Sequence, residues 1–322
     1  MIMASDIRDV AASGPGFDQL QRQGPIDWEA WGTAAVHLAR ALAGAPDLDR
    51  RIHHLYLPVL FFALARLHAG SARPLVVGLQ APQGSGKTTL TRHVLSCLPA
   101  LGLRGASVSI DDFYLTRGGQ LALAAANPGN PYLEHRGYPG THDVALGERT
   151  LAALRALGPG AAGRHVRVPV YDKSAHGGRG DRLPEPEWPV VTGPLDFVFV
   201  EGWMLGFIPV GERDLPDASL VEPNRALAAY DRWHRQIDAW VVLRALDPSF
   251  VVAWRVDAEE AARSAGRAAL DRAAIEDYVR RFLPAYRLYG GTLPRAEPER
   301  VFTLGLTAGR RPVPYAETTG RG

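Results

Sequence analysis

Apolar residues recur along this chain with two different spacings. Between residues 26 and 68 they return every three or four positions, which predicts two successive helices. From residue 75 onwards, short runs of consecutive apolar residues alternate with segments of helical spacing. The runs predict buried strands at Leu75–Leu79, Ala106–Ile110, Val166–Val170, Leu195–Val200, Ala239–Arg244 and Arg300–Leu304. The helical segments are Lys87–Leu98, Asp143–Leu157, Asn224–Gln236, Pro248–Ala265 and Asp271–Tyr289, the last with a kink expected at Pro284.

This alternation of buried strands with helices predicts an α/β fold. Its expected form is a parallel sheet with helices on both faces. We expect residues 1–72 to form a helical extension that packs on a domain of residues 73–322, with residues 1–25 frayed. Stretches rich in glycine and proline at 127–141 and 177–194 predict long loops, which in such folds are usually functional or mobile.

Composition narrows the class of protein. The 322 residues carry a net charge of only +2, so no overall field favours nucleic acid or a membrane surface. The most apolar stretch, 55–65, is too short to span a bilayer, and the first residues do not resemble a signal or transit peptide. The single cysteine, Cys97, cannot form an internal disulfide, which indicates a reducing compartment. We therefore predict a soluble cytoplasmic protein without nucleic-acid or membrane partners, and leave its oligomeric state open.

A phosphate-binding loop is predicted between the first strand and the next helix. The segment Ala81–Thr89 (APQGSGKTT) fits the pattern G-x-x-x-x-G-K-[ST], with Ala81 at the first glycine position. Glycines there let successive backbone N–H groups point at phosphate oxygens, and the positive end of the following helix reinforces the site. Lys87, one of only two lysines in the chain, can reach the β- and γ-phosphates, and Thr88 can hold Mg²⁺. The predicted ATP-binding residues are Gln83, Gly84, Ser85, Gly86, Lys87, Thr88 and Thr89. The alternative is a glycine-rich turn with an incidental lysine.

Two other predicted strands run directly into carboxylates. Asp111 follows the strand 106–110, and Glu201 follows the strand 195–200. Ligands of parallel α/β sheets bind at the carboxyl ends of the strands. A kinase that acts on a hydroxyl needs one carboxylate to accept the proton and a further acidic group near magnesium. We assign the first task to Asp111 and the second to Glu201. The alternative is that both acids only cap the ends of strands or helices.

Two loops carry the side chains of a possible substrate pocket. One is the segment 171–182 (YDKSAHGGRGDR) and the other is 134–143 (EHRGYPGTHD). Arg136, Lys173 and Arg179 are available cations, and an anionic substrate needs one or two of them. The alternative is a pair of solvated surface loops. The segment 254–267 is a candidate lid that brings an arginine over the phosphates, unless it is a solvated helix face.

Taken together, these segments resemble one kinase family. The motifs are APQGSGKTT at 81–89, SIDDFYLT at 109–116, YDKSAHGGRGDR at 171–182, EGWMLGF at 201–207 and YVRRFLPAY at 278–286. In this order they resemble the plant-type D-glycerate 3-kinases and their fungal and bacterial relatives. That family belongs to a wider group of P-loop kinases with uridine kinase, phosphoribulokinase and pantothenate kinase. The resemblance implies that Asp111 rather than Asp112 is the catalytic base, and that Glu201 assists with Mg²⁺. It also implies that Tyr114, Tyr171 and Asp172 face the substrate, and the segment 136–143 resembles the family's loop RG-x-x-G-[ST]-H-D. The predicted substrate-binding residues therefore also include His142 of that loop and the cations Arg136, Lys173 and Arg179.

The resulting hypothesis is a P-loop kinase that uses ATP and Mg²⁺ to phosphorylate D-glycerate to 3-phosphoglycerate, with Lys87 and Asp111 as catalytic residues. A kinase for another small hydroxylated metabolite, such as a nucleoside or pantothenate, is the enzymatic alternative. A regulator that binds ATP without transferring phosphate is the alternative from another class.

Overall fold

The computed structural model describes residues 4–70, 73–264, 279–294 and 296–315. Its strands are β1 (Leu75–Gln80), β2 (Gly105–Ser109), β3 (His165–Arg167), β4 (Tyr171–Asp172), β5 (Asp181–Arg182), β6 (Val190–Thr192), β7 (Phe197–Gly202), β8 (Ala239–Ala245), β9 (Val301–Leu306) and β10 (Pro312–Val313). Over the described residues six of these strands form the main sheet, in the order β10-β9-β8-β1-β7-β2. The five strands other than β10 are parallel, and β10 lies antiparallel to β9 at one edge.

Helices cover both faces of this sheet, and β1 and β7 are buried at every position. Residues that pair in register on parallel strands share a face, so Val241 lies beside Phe302. The Phe302 ring stacks on Phe62 of the N-terminal extension, with centroids 5.4 Å apart. Trp240 therefore points to the other face, where it packs against His234. The predicted α/β architecture with helices on both faces is confirmed.

The helices that connect these strands match most of the predicted positions. Asp143 starts one of them, because its carboxylate accepts a hydrogen bond from the Leu146 backbone N–H at 2.9 Å. The α-helices include Ala4–Ala12, Phe17–Gln21, Trp28–Ala41, Leu48–Arg51, Leu57–His68, Lys87–Cys97, Arg117–Ala126, Val144–Arg155, Val221–Ala226, Asp231–His234, Phe250–Ser264 and Leu283–Tyr289. A π-helical turn, Ile52–Tyr56, precedes Leu57–His68.

The prediction of a strand at Val166–Val170 in the parallel sheet was wrong. The chain forms only the three-residue β3 here, which pairs antiparallel with β6 in a separate two-stranded sheet. Pro169 has no N–H to donate, so a central strand could not continue through it. The chain instead enters a second small ribbon in which β4 pairs with β5.

Two helix predictions also need correction. Asn224–Gln236 is not one helix, because a 3₁₀ turn at Leu227–Tyr230 separates Val221–Ala226 from Asp231–His234. In the helix predicted at 271–289, residues 271–278 lie outside the described residues. Pro284 does not kink a helix but sits in the first turn of Leu283–Tyr289, where a missing N–H costs nothing.

Within the first 25 residues, the described part, 4–25, is folded rather than frayed as expected. It includes two helices whose Ala11 and Leu20 are each only 2% exposed. The Gln19 side-chain amide pairs with the backbone of Thr303 in β9, donating to its carbonyl at 2.7 Å and accepting from its N–H at 2.9 Å. The amide thus satisfies the backbone N–H and C=O of Thr303, because the short β10 pairs only with Gly305 and Leu306 of β9. One hydrophobic core includes residues of both the extension and the sheet, and the boundary at residue 72 stays a prediction.

Within the described ranges, no helix combines the length and the apolar character needed to cross a membrane.

Candidate active site

The loop between β1 and the helix Lys87–Cys97 has the curled backbone of a phosphate cradle. Gly84 and Gly86 have φ values of +74° and +89°, in the left-handed region that glycine tolerates. At Gly84 a side chain is also sterically excluded, because a Cβ atom would lie 2.7 Å from the Cβ of Trp254. Ala81 is not among the described non-glycine residues with positive φ, so this position has no need of glycine.

Two contacts that the sequence did not reveal fix this loop in place. The Gln83 backbone N–H donates to the Tyr286 hydroxyl at 3.0 Å. The Arg310 guanidinium donates to the Gly84 carbonyl at 2.8 Å and pairs with Asp257 at 2.9 Å. Because Arg310 is more than 200 residues away in the chain, no local motif marks it as part of the nucleotide site.

Glu201 joins the end of β7 to the phosphate loop. The Thr88 hydroxyl donates to Glu201 Oε1 at 2.8 Å, and Lys87 Nζ lies 3.9 Å from Oε2. Glu201 is only 4% exposed, and its Oε2 atom has no hydrogen-bond partner among the described residues. A carboxylate and a hydroxyl are hard oxygen donors of the kind that Mg²⁺ prefers, and an unsatisfied buried oxygen is a suitable ligand. The pair therefore fits the predicted magnesium site.

Asp111 lies at the end of β2 and is held by a cation. Lys173 Nζ is 2.5 Å from Asp111 Oδ2. Burial raises the pKa of the Asp111 carboxyl, but the positive charges of Lys173 and Lys87 lower it by more, so the pKa lies well below its usual range. The carboxylate is thus ionised at neutral pH, and both lysines of the chain lie in its field.

The neighbouring Asp112 has a different position and charge. Its carboxyl accepts from the Tyr171 N–H at 3.2 Å and the Ser109 N–H at 3.4 Å, so it ties the end of β2 to β4. Burial, with a further contribution from the negative charge of Asp111, raises the pKa of Asp112 to about 6. The two adjacent carboxyls therefore differ in proton affinity, and Asp111 is the one that faces the lysines.

An aromatic wall lies next to Asp111. The Tyr114 ring stacks on His142 at 4.4 Å and meets the edge of Tyr171 at 5.3 Å. His142 Nδ1 is 2.7 Å from the Tyr230 hydroxyl, whereas Nε2 has no hydrogen-bond partner in the part of the chain that the structure describes. Burial lowers the pKa of His142 to about 4, so the ring is neutral at physiological pH. Three of the predicted substrate residues, Tyr114, His142 and Tyr171, are thus brought together beside the candidate base.

Known proteins share this arrangement of sequence and fold. A D-glycerate 3-kinase of Arabidopsis thaliana, described as chloroplastic, is 38% identical over 96% of this chain and 73% of its own length. The chain belongs to the D-glycerate 3-kinase family. The solved D-glycerate 3-kinase of Cryptococcus neoformans var. grubii superposes with a TM-score of 0.73 at 30% identity, covering 80% of this chain and 97% of that one. A probable ATP-dependent kinase of Saccharomyces cerevisiae, TDA10, is 31% identical over 82% of this chain and 93% of its own. No protein-family model matches the sequence.

Membership in the D-glycerate 3-kinase family confirms the predicted P-loop kinase fold and the resemblance read from the motifs. The chain is therefore a kinase that transfers phosphate to a hydroxyl group. The roles of individual site residues remain predictions, and the contacts of each one show what it can do.

In this member of the D-glycerate 3-kinase family, the three predicted substrate cations have different surroundings. Arg136 donates to the carbonyl oxygens of Gly178, at 2.9 Å, and of Arg179, so it holds the glycine-rich loop. Its guanidinium also lies over the Tyr171 ring at 5.5 Å. Arg179 contacts the His135 ring at 3.0 Å and is otherwise exposed. Among the three cations, Lys173 is the one paired with Asp111.

Two residues of the D-glycerate 3-kinase motifs shape the loop. Asp172 accepts from the N–H and the hydroxyl of Ser174, at 2.8 and 2.6 Å, and so turns the chain after β4. Arg182 ends the motif at 171–182, but no role was predicted for it. Its guanidinium donates to the Tyr114 carbonyl at 2.7 Å and lies 3.3 Å from the Asp143 carboxylate. The contacts of Asp172 shape the loop, and its contact with substrate stays a prediction.

The candidate lid of the kinase is described only up to residue 264. In this part Arg255 pairs with Glu259 one helical turn later, at 2.5 Å. Arg267 lies outside the described residues. The lid stays a prediction.

The different surroundings of Asp111 and Asp112 predict that their carboxyl groups titrate in different pH ranges. In ¹³C-detected NMR of the carboxyl groups, Asp112 should titrate near pH 6, whereas Asp111 should stay ionised from pH 8 down to pH 4.5. In Lys173→Met the Asp111 pKa should move upwards, because burial then acts against fewer cations. Lys173→Arg keeps the charge and should leave Asp111 ionised. A titration of Asp111 that is the same in the Met and Arg variants would contradict this electrostatic account.

Proposed function

We propose that this kinase transfers the γ-phosphoryl group of ATP to the 3-hydroxyl of D-glycerate. The observation that carries the proposal is the ionised Asp111 carboxylate beside Lys173, on the same sheet edge as the phosphate loop. Relatives named D-glycerate 3-kinase support the choice of acceptor. A charged pocket also suits a small hydroxy acid better than a nucleoside, which would need aromatic surfaces on both faces of its base.

The chain's own residues support an in-line transfer. Asp111 would accept a hydrogen bond from the acceptor hydroxyl and orient its oxygen towards the γ-phosphorus. As the new O–P bond forms and the bond to the leaving oxygen of ADP breaks, the hydroxyl proton passes to Asp111 Oδ. A carboxylate with so low a pKa is a weak base, so it acts mainly by positioning and takes the proton late in the reaction.

Lys173 has a second possible partner in the substrate. It is 58% exposed, so a glycerate carboxylate could share its ammonium with Asp111. That sharing would place the acceptor hydroxyl near the base, since both groups belong to one three-carbon molecule. The rings of Tyr114 and Tyr171, which contact each other edge to face, would exclude water from one side of the substrate.

Lys87, Thr88 and Glu201 would serve the nucleotide side. Lys87 is placed to neutralise charge on the β- and γ-phosphates, while Thr88 and Glu201 would hold magnesium. Magnesium, when bound with ATP, supplies charge neutralisation at the transferring phosphate. A cytoplasmic location and Mg²⁺ as the metal belong to this proposal.

The acceptor is tested by an ADP-release assay with D-glycerate, glycerol, uridine, pantothenate and no acceptor. D-Glycerate should be preferred, with glycerol poor because it lacks the carboxylate.

Each charge-assisted hydrogen bond to that carboxylate contributes about 1.5–3 kcal/mol, so Arg179→Ala should raise KM for glycerate by about 10- to 100-fold with little change for ATP. Lys173→Ala and Arg136→Ala should act in the same direction, the latter by releasing the loop.

The control for that series is Arg164→Ala, which removes an exposed arginine of another loop. Equal turnover of glycerol and glycerate, or an unchanged KM in all three cation variants, would refute recognition of the carboxylate. A protein that binds ATP but releases no ADP with any acceptor would favour the nucleotide-binding regulator.

The two aspartates give a second test. Asp111→Asn should lower kcat by about 10²–10⁴ and leave ATP affinity within a few-fold, because only proton acceptance and positioning of the hydroxyl are lost. Asp112→Asn should reduce kcat less, since Asp112 contacts backbone N–H groups. The reverse order of the two variants, measured under saturating substrate, would move the base to Asp112.

A further inference from the structure

A cavity of about 150 Å³ opens beside the phosphate loop and is lined partly by the N-terminal extension. On one side it is lined by Gly86 and Thr89, at the start of the helix that follows the loop. On another side it is lined by residues 309–312, the turn between β9 and β10. The third wall comes from residues 47–56 of the extension, for which no motif predicts a function.

The lining of this cavity changes from apolar to charged. Its apolar part includes Tyr56, Leu90 and Leu243, which are each 4% exposed or less. Its rim carries Asp47 and Arg311, whose side chains form a 3.1 Å ion pair and are about half exposed. A flat apolar base fits the floor of such a site, while a charged rim suits the hydroxyls of a sugar.

The position of the cavity fits the nucleoside half of a nucleotide. The helix N-terminus at Gly86 attracts phosphate, and a nucleoside joined to that phosphate must lie within reach of the same helix turn. Thr89 in that turn lines the cavity. A larger cavity, of about 220 Å³, touches the loop only at its beginning, at Ala81 and Pro82, before the chain curls round the phosphates.

A series of contacts connects the extension to the phosphate loop. Asp47 of the extension pairs with Arg311. The preceding residue, Arg310, donates to the Gly84 carbonyl in the loop at 2.8 Å. The wall formed by the extension and the phosphate cradle are therefore held by adjacent residues of one turn.

We propose that residues 47–56 of the N-terminal extension form a wall of the nucleoside-binding site, with Leu55 against the base and Asp47 accepting from a ribose hydroxyl. The extension is then part of the nucleotide site rather than only a helical support for the sheet. The proposal rests on the use of ATP in the proposed function, and it adds residues that the phosphate-loop motif does not include.

The test compares two probes that share phosphates but differ in the nucleoside. Calorimetry measures the binding of ADP and of inorganic tripolyphosphate to the full chain and its variants. Asp47→Ala should weaken ADP by about tenfold or more, because one hydrogen bond to a charged group is lost, and should leave tripolyphosphate nearly unchanged. Leu55→Trp should also weaken ADP selectively by filling the space of the base. Asp49→Ala, an exposed acid of the same helix that does not line the cavity, is the matched control.

A second readout needs no variant. Hydrogen exchange of the backbone amides in 47–56 should slow when ADP is added and should not slow with tripolyphosphate. Thermal denaturation shows whether each variant is folded, and a misfolded variant leaves the exchange measurement as the decisive one. Equal weakening of both probes, or ADP protection that omits 47–56, would overturn the proposal. A parent protein that shows these ADP effects but does not phosphorylate glycerate would refute the proposed acceptor and leave this inference standing.

Discussion

The hydrogen bond between Thr88 and Glu201 connects the two halves of the catalytic edge. Thr88 belongs to the helix after the phosphate loop, and Glu201 pairs in register with Leu79 of β1 on one side and Ser109 of β2 on the other. Because β1, β7 and β2 are parallel neighbours, their carboxyl ends form one row. The phosphate loop, the candidate magnesium ligand and Asp111 follow one another along that row, so the residues that we propose for the nucleotide and for the acceptor share a single sheet edge.

The same edge depends on a balance between burial and charge. Removing Asp111 from water disfavours its ionised form, and the positive charges of Lys87 and Lys173 counteract that cost. Asp112, one residue further on, lacks an equivalent cation at hydrogen-bond distance among the described residues and keeps a raised pKa. The two adjacent carboxyls therefore have different surroundings, Asp111 ionised beside Lys173 and Asp112 bound to backbone N–H groups.

The parts of the site that could be predicted from sequence are those encoded locally. The phosphate loop needs glycine at positive φ and a lysine at a fixed spacing, and the acids at 111 and 201 directly follow recognisable strands. The wrong predictions of secondary structure have a different cause. An apolar run at 166–170 resembled a strand, but Pro169 prevents central pairing and the chain forms two short ribbons instead. The helix predicted at 224–236 is interrupted by the 3₁₀ turn Leu227–Tyr230, and Tyr230 at its end and Trp233 in the next helix both pack on His142, a residue distant in the chain.

Long-range contacts are the remaining part that local patterns could not supply. Arg310, Tyr286 and Gln19 each bind backbone groups of a segment more than 200 residues away. Arg310 and Gln19 lie outside every motif named above, and the motif that ends at Tyr286 does not indicate which residue Tyr286 contacts, so only the folded chain shows these partners.

The central claim is that this sheet edge transfers phosphate to one particular hydroxyl of D-glycerate. ³¹P–¹H correlation NMR of the product made from ATP and D-glycerate tests it most directly. The account predicts a phosphate monoester coupled to the two protons on carbon 3, whose formation is lost in Lys87→Met. A monoester coupled to the proton on carbon 2, or no glycerate ester at all from a folded protein that consumes ATP, would contradict it.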